Sequence, residues 1–176
     1  MTTGQTIEDR ETGHQIAPVV SQPLAFTCKN IAAIRDGRKT KTRRPIKPTF
    51  SSAYDDPYKE SDGLWYWHHD YEYERWVRRA PKYEVGDRVP VANSLGDATG
   101  IVLEITATRP EKLNEISEED AKAEGVQNDA RDGRPGHIHR ELFRELWATI
   151  YGPTNDFAWE RNPWVWVYEV KVVVSG

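Results

Sequence analysis

The chain has 176 residues, 38% apolar and 30% charged, with 24 Lys/Arg against 28 Asp/Glu and a formal net charge of -4. That is enough chain for one domain with a real core; the acidic balance excludes a wholly basic coat, and no apolar run approaches the roughly 20 residues of a membrane span. The single cysteine, Cys28, excludes an intrachain disulfide and a cysteine metal cluster, which fits a reducing compartment.

Residues 1–21 are polar and aperiodic and predict a flexible N-terminal tail. They hold no apolar block of signal-peptide kind, so cytoplasmic residence is expected. The domain proper, 22–176, opens with Leu24-Ala25-Phe26-Thr27 as a short strand. Ile31, Ala32 and Ile34 predict a short helix over Asn30 to Asp36, closed by Gly37. Thr40 to Ile46 reads as a strand stopped by Pro48.

An insertion at about 49–82 mixes Tyr, Trp, His and charge, and is read as a hairpin or partly ordered loop with a strand at Trp65 to His69. Lys82 to Asp87 is a turn into a strand at Arg88 to Ala92. Asn93 to Gly100 has hairpin-loop chemistry, and Ile101 to Thr108 is a clear strand. Ser117 is the N-cap of a short helix ending at Gly125, with Asp120 in the reciprocal capping position. Asp129 to Gly136 is loop. His139 to Tyr151 is an amphipathic helix burying Leu142, Phe143, Leu146, Trp147 and Ile150. Trp164 to Val174 is the last strand, with Trp164, Trp166, Tyr168, Val170 and Val172 on one face.

This order predicts an α+β fold, a small mixed barrel with short helices at its ends. A glycine-rich phosphate loop is absent from the sequence, so no ATP or NAD cofactor is expected. His68, His69 and Asp70, and His137 with His139, lack the spacing of a zinc motif, and no metal site is expected.

The distribution of charge is the strongest functional signal. Seven of the 24 basic residues and one acid lie between Arg35 and Lys47, a local +6, which leaves 17 basic against 27 acidic residues elsewhere. A concentrated cationic segment on an acidic chain points to a site that receives an anion, such as phosphate or nucleic acid. The aromatics crowd into Trp65–Trp76 and Trp159–Tyr168 and serve either cores or base stacking.

Several motifs in order resemble the ASCH domain family of the PUA-like superfamily. They are Gly37-Arg38-Lys39-Thr40-Lys41-Thr42-Arg43-Arg44, Val85-Gly86-Asp87-Arg88, Leu103-Glu104-Ile105-Thr106, Ile116 to Ala121 with Glu124-Gly125-Val126, and Trp164 to Glu169. The Phe143-Arg144-Glu145-Leu146-Trp147 helix and the approach Asn162 to Trp166 are similar to longer, phage- and prophage-type members. The resemblance implies a PUA-like small mixed β-barrel that binds RNA or a modified pyrimidine nucleoside. It also implies a metal-independent amidohydrolase acting on the N4-acyl amide of N4-acetylcytidine. On that likeness Lys39, Thr42 and Glu124 are the catalytic residues, and Arg38, Lys41, Arg43 and Arg44 bind nucleic acid or another anion.

In such chemistry Thr42 supplies the nucleophile, Lys39 the base, and Glu124 orients Lys39 or carries a proton to the leaving amine. Three residues apart on a regular strand, Lys39 and Thr42 face opposite sides, so the site requires Lys39 in the turn after Gly37 or a bulge between them. The chain departs from the longer members at Val89-Pro90-Val91-Ala92-Asn93-Ser94, where they carry a Trp-Val-Arg-Glu-like strand. Two alternatives stand beside the enzyme: a non-catalytic RNA-binding module, and a phage protein whose aromatic insertion contacts a host protein.

Overall fold

The computed structural model describes residues 22–47, 49–50, 54–69, 72–127 and 139–174. The expected tail at 1–21 and the loop at Asp129 to Gly136 lie outside them. In chain order the elements are β1 (Leu24–Phe26), α1 (Cys28–Arg35), β2 (Lys41–Pro45), β3 (Tyr58–Lys59), β4 (Trp65–His69), β5 (Glu72–Arg79), β6 (Arg88–Asn93), β7 (Ala98–Lys112), α2 (Glu118–Ala123), α3 (His139–Tyr151) and β8 (Trp164–Val174). Single 3-10 turns at Leu113–Glu115 and Trp159–Arg161 precede α2 and β8.

The fold is α+β, as expected. A five-stranded mixed sheet runs β1-β6-β7-β8-β2, parallel only where β1 meets β6, and a three-stranded antiparallel sheet runs β3-β4-β5. The central sheet curls because the β7–β8 ladder is bulged twice, at Val102/Leu103 where β8 carries the extra residue and at Ile105/Ala107 where β7 does, and each bulge adds local twist. With that curl one 15-residue strand pairs with β6 over its first part and with β8 from Val102 to Lys112. Its reach beyond the expected Ile101–Thr108 absorbs three of the eight residues of the expected hairpin loop. Pro90, which lacks a ladder donor, sits in β6 beside the register shift between Pro90 and Ala92.

α1 starts two residues earlier than expected. Thr27 leaves the strand to cap it, its side chain accepting from the Asn30 N–H at 3.3 Å.

The final strand corrects a one-sided reading. Trp164 to Tyr168 are buried on both faces. Trp164, Trp166, Tyr168 and Val170 enter a core with Leu24, Phe26, Val91, Leu103, Ile105 and the inserted Trp67. Val165 and Val167 enter a second core with Leu113, Ile116, Ala121, Phe143 and Trp147. Helix α3 is likewise narrower in its buried stripe than expected. Phe143, Trp147 and Tyr151, spaced four apart, stack along it, while Ile150 stays 42% exposed on the flank.

Of the two readings of the insertion the hairpin holds: β4 occupies the expected Trp65–His69 and pairs antiparallel with β5, and β3 adds a third strand. Trp65 and Trp67 of β4 project onto Trp166 and Trp164 at ring distances of 5.7–6.4 Å, which fixes the small sheet against the main core.

Candidate functional site

The turn from α1 into β2 is tied to the C-terminal end of α2. The Arg38 and Lys39 amides both donate to the Ala33 carbonyl, Lys39 and Glu124 form an isolated antiparallel bridge, and the Thr40 amide donates to Ala123 O at 2.9 Å. Lys39 therefore lies before β2, which begins at Lys41, and the parity of the strand does not govern it.

Its side chain is enclosed. Lys39 Nζ donates to Glu124 Oε2 at 2.7 Å and to the Glu124 carbonyl at 2.8 Å, and both side chains are 3% exposed. Nζ also lies 5.7 Å from the centre of the Phe26 ring. Burial is the dominant influence on the amine and lowers its pKa below the usual lysine range; Glu124 opposes this, and Arg44 and Arg43 add to it.

Glu124 is shared. Arg43 NH1 donates to its Oε1 at 3.1 Å, while NH2 of the same guanidinium reaches Glu111 Oε1 and Asp120 Oδ2, each at 2.7 Å. Lys41 Nζ bonds Asp120 at 2.6 Å and Glu169 at 3.1 Å. Arg109 closes the group with Glu169 at 2.9 Å, Asp120 at 3.0 Å and Glu111 at 3.2 Å. Four cations (Lys39, Lys41, Arg43, Arg109) thus meet four carboxylates (Glu111, Asp120, Glu124, Glu169). The cationic run seen in the sequence is offset here by acids brought from β7, α2 and β8.

The other expected residues sit elsewhere. Arg38 spans Asp36 at 2.8 Å and the Gly125 carbonyl at 3.2 Å on the rim. Thr42 is buried and takes no part in the ionic group. It pairs with Tyr168 while Arg44 pairs with Trp166, so both side chains lie on the opposite face of β2 from Lys41 and Arg43. Arg44 NH2 donates to Ala25 O at 2.6 Å, and its guanidinium lies 4.8 Å from the centre of the Phe26 ring. Phe26 thus stands beside both Lys39 and Arg44.

On the Arg44 side is a cleft of about 470 Å³, lined by Pro23, Leu24, Ala25, Arg44, Pro45, Lys47, Ala80, Lys82, Tyr83, Trp166 and Tyr168. The Tyr168 hydroxyl accepts from the Lys82 amide, and burial pushes its pKa up to about 12.

Sequence reasoning missed Arg109, Glu111 and Glu169 as partners of the cationic run. Alternation along β7 does put Arg109 and Glu111 on one face, which is a signal that was there to use. It also misassigned Asp120: Ser117 Oγ accepts from the Asp120 amide at 3.1 Å as a cap should, but the Asp120 carboxylate turns to Lys41, Arg43 and Arg109. Three cations draw it more strongly than one capping amide.

Of the histidines, His68 lies tilted against Trp76 with ring centres 4.5 Å apart and approaches Asp55 at 3.9 Å, and His139 approaches Glu118 at 3.6 Å. The side chain of His69, and Asp70 and His137, lie outside the described residues. Among the described residues no group of three metal-ligating side chains occurs, and no helix is long and apolar enough to cross a membrane.

The ionic group sets an acid response. Burial alone raises the Asp120 carboxyl, but the bonds from Lys41 and Arg43 outweigh it and hold it below the usual range; the Lys41 bond does the same for Glu169. A carboxyl depressed on folding contributes stability that is present above its unfolded pKa and lost as pH falls through the folded one. Stability is therefore expected to decline as pH drops below about 4.5, the ordinary glutamate value. Urea midpoints at pH 7 and pH 3 should fall less steeply with acid in Asp120→Asn than in the parent. Parallel declines would remove Asp120 from that response.

No family model matches the chain, and no curated protein does. Two crystal structures are similar to it. One is of a protein from Enterococcus faecalis of the DUF984 family, with 14% identity over 89% of this chain and 84% of that one and a TM-score of 0.49. The other is of an ASCH domain from Lactobacillus crispatus, with 19% identity over 82% of this chain and 72% of that one and a TM-score of 0.40.

Proposed function

We propose that the protein binds a pyrimidine nucleoside or RNA at the β1–β2 cleft and hydrolyses an N4-acyl amide of the N4-acetylcytidine type, with Lys39, Thr42 and Glu124, buried residues outside the cleft lining, as the reacting group. The observation that carries this reading is the enclosed Lys39–Glu124 contact at 2.7 Å, made by residues 85 apart in the chain. Metal-free amide hydrolysis needs a hydroxyl, a base that is neutral near physiological pH, and donors for the developing oxyanion. A buried lysine with a lowered pKa supplies the base, and Arg43 draws on the same carboxylate that opposes that lowering.

In this reading the Thr42 oxygen attacks the acyl carbon as its proton passes to Lys39. The C–N bond then breaks with that proton going to the cytosine N4, and water hydrolyses the threonine ester. Arg44, on the same face of β2 as Thr42, is the donor placed to meet the substrate. A second reading, binding of RNA without catalysis, is favoured by the low exposure of Lys39 and Thr42, 4% and 3%.

Incubation with N4-acetylcytidine separates them. Deacetylation is expected in the parent, rising with pH as Lys39 loses its proton, and falling at least about 100-fold in Lys39→Ala and Thr42→Ala. A parent that releases no cytidine leaves only the binding reading. Full activity in both variants would show that other residues do the chemistry.

A further inference from the structure

We infer that the cleft between β1 and β2 is built for a phosphorylated ligand, a pyrimidine nucleoside phosphate, with Arg44, Lys47 and Lys82 forming a phosphate-holding rim around an aromatic floor. This rests on the nucleoside-binding reading and names the substrate class of that same site.

Two regions of the molecule gather cations, and they differ in one respect. Around Arg43 every cation is matched, four against four. Around the cleft, Arg44, Lys47 and Lys82 contribute three positive charges, and among the described residues no acidic side chain lines it. In a chain of net charge -4 such a local excess is not a general property of the surface.

The three cations are held by groups that leave their charge unopposed. Lys47 lies 5.3 Å from the Phe157 ring centre and Lys82 5.0 Å from that of Tyr83, while Arg44 rests on Phe26. Ring faces and a carbonyl orient a cation without neutralising it. Arg44 lines this cleft, and its buried Nε has no hydrogen-bond partner, so the guanidinium retains an unused donor.

The floor is largely apolar. Tyr83, Trp166 and Tyr168 line it, each at most 5% exposed, and the two tyrosine oxygens meet protein partners: the Tyr83 hydroxyl donates to the Gln22 and Pro23 carbonyls, and the Tyr168 oxygen accepts from the Lys82 amide. A volume of about 470 Å³ lies within the range of small-ligand sites.

Titration of the protein with cytidine, cytidine 5′-monophosphate, inorganic phosphate and a cytidine trinucleotide tests the inference, read by chemical shift or calorimetry at low and physiological salt. The monophosphate is expected to bind at least about tenfold more tightly than cytidine, with the advantage shrinking as salt rises. Lys47→Ala with Lys82→Ala should reduce that ratio to less than about threefold, and Arg44→Gln should lower it too; circular dichroism checks that each remains folded. Equal binding of cytidine and its monophosphate overturns the phosphate rim while leaving the nucleoside reading intact. Binding of neither overturns both. Inorganic phosphate binding as tightly as the monophosphate also overturns it, because the aromatic floor then contributes nothing. A trinucleotide that binds more tightly, with a steeper salt dependence, identifies RNA as the source of the phosphate; equal affinity identifies a free nucleotide.

Discussion

Glu124→Gln is expected to lower folding stability by about 3–5 kcal/mol, the loss seen when one member of a buried ionic group is removed and its partners stay buried. Its carboxylate is the only direct acidic partner of Lys39 among the described residues, and it also takes one of the four hydrogen bonds of the Arg43 side chain. The amide keeps the size of the side chain but leaves two enclosed cations facing one fewer charge.

The reverse substitution is not equivalent. Lys39→Met should cost less, about 1–2 kcal/mol, because Glu124 keeps its bond from Arg43 and no charge is left alone. Urea unfolding of the two variants at pH 7 measures the difference. Equal losses would mean that Glu124 does not serve both cations. The same pair of variants informs the chemistry: a lysine kept for catalysis is dispensable for the fold, whereas its carboxylate partner is not.

Gly125→Ala is the second large effect, at about 2–4 kcal/mol. Gly125 has φ of 88°, and a Cβ there would lie 2.9 Å from Ala33 Cβ and 3.0 Å from Lys39 Cβ. Both neighbours are Cβ atoms, one in α1 and one on the turn that carries Lys39, so the strain falls on the packing of that turn and on the bridge between Lys39 and Glu124. Gly37→Ala provides the comparison. Its φ of 70° imposes a similar backbone penalty, but nothing lies within 4 Å, and about 1–2 kcal/mol is expected. Thermal or urea unfolding that ranks Gly37→Ala equal to or worse than Gly125→Ala would show that the close approach is not what requires glycine.

Much of the fold was legible because it is written locally. Ser117 caps α2, α3 occupies the expected His139–Tyr151, and β8 runs Trp164–Val174 as its alternating aromatics and valines indicate. What alternation hid was the second face of β8. Val165 and Val167 look like solvent-side residues until α2 and α3 are placed over them, and nothing within the strand announces that cover.

The site was legible to a smaller degree. The pairing of Lys39 with Glu124 came from the order of motifs and not from any local pattern, since the bridge that joins them spans 85 residues. The charge of the cationic run misled for the same reason. Arg43 meets Glu111 across 68 residues and Asp120 across 77, so a window that counts charge along the chain records an excess that the folded molecule does not have. Arg44, one residue away, keeps its charge because strand alternation turns it to the other side of the sheet.

The two-faced burial of β8 bears on how the molecule opens. Removing that strand exposes both apolar layers together, so neither layer has a low-energy route to loosen by itself. Amide protons of Val165, Val167 and Tyr168 should therefore exchange with deuterium only through global unfolding, whereas those of the short β3 ribbon exchange through small local openings.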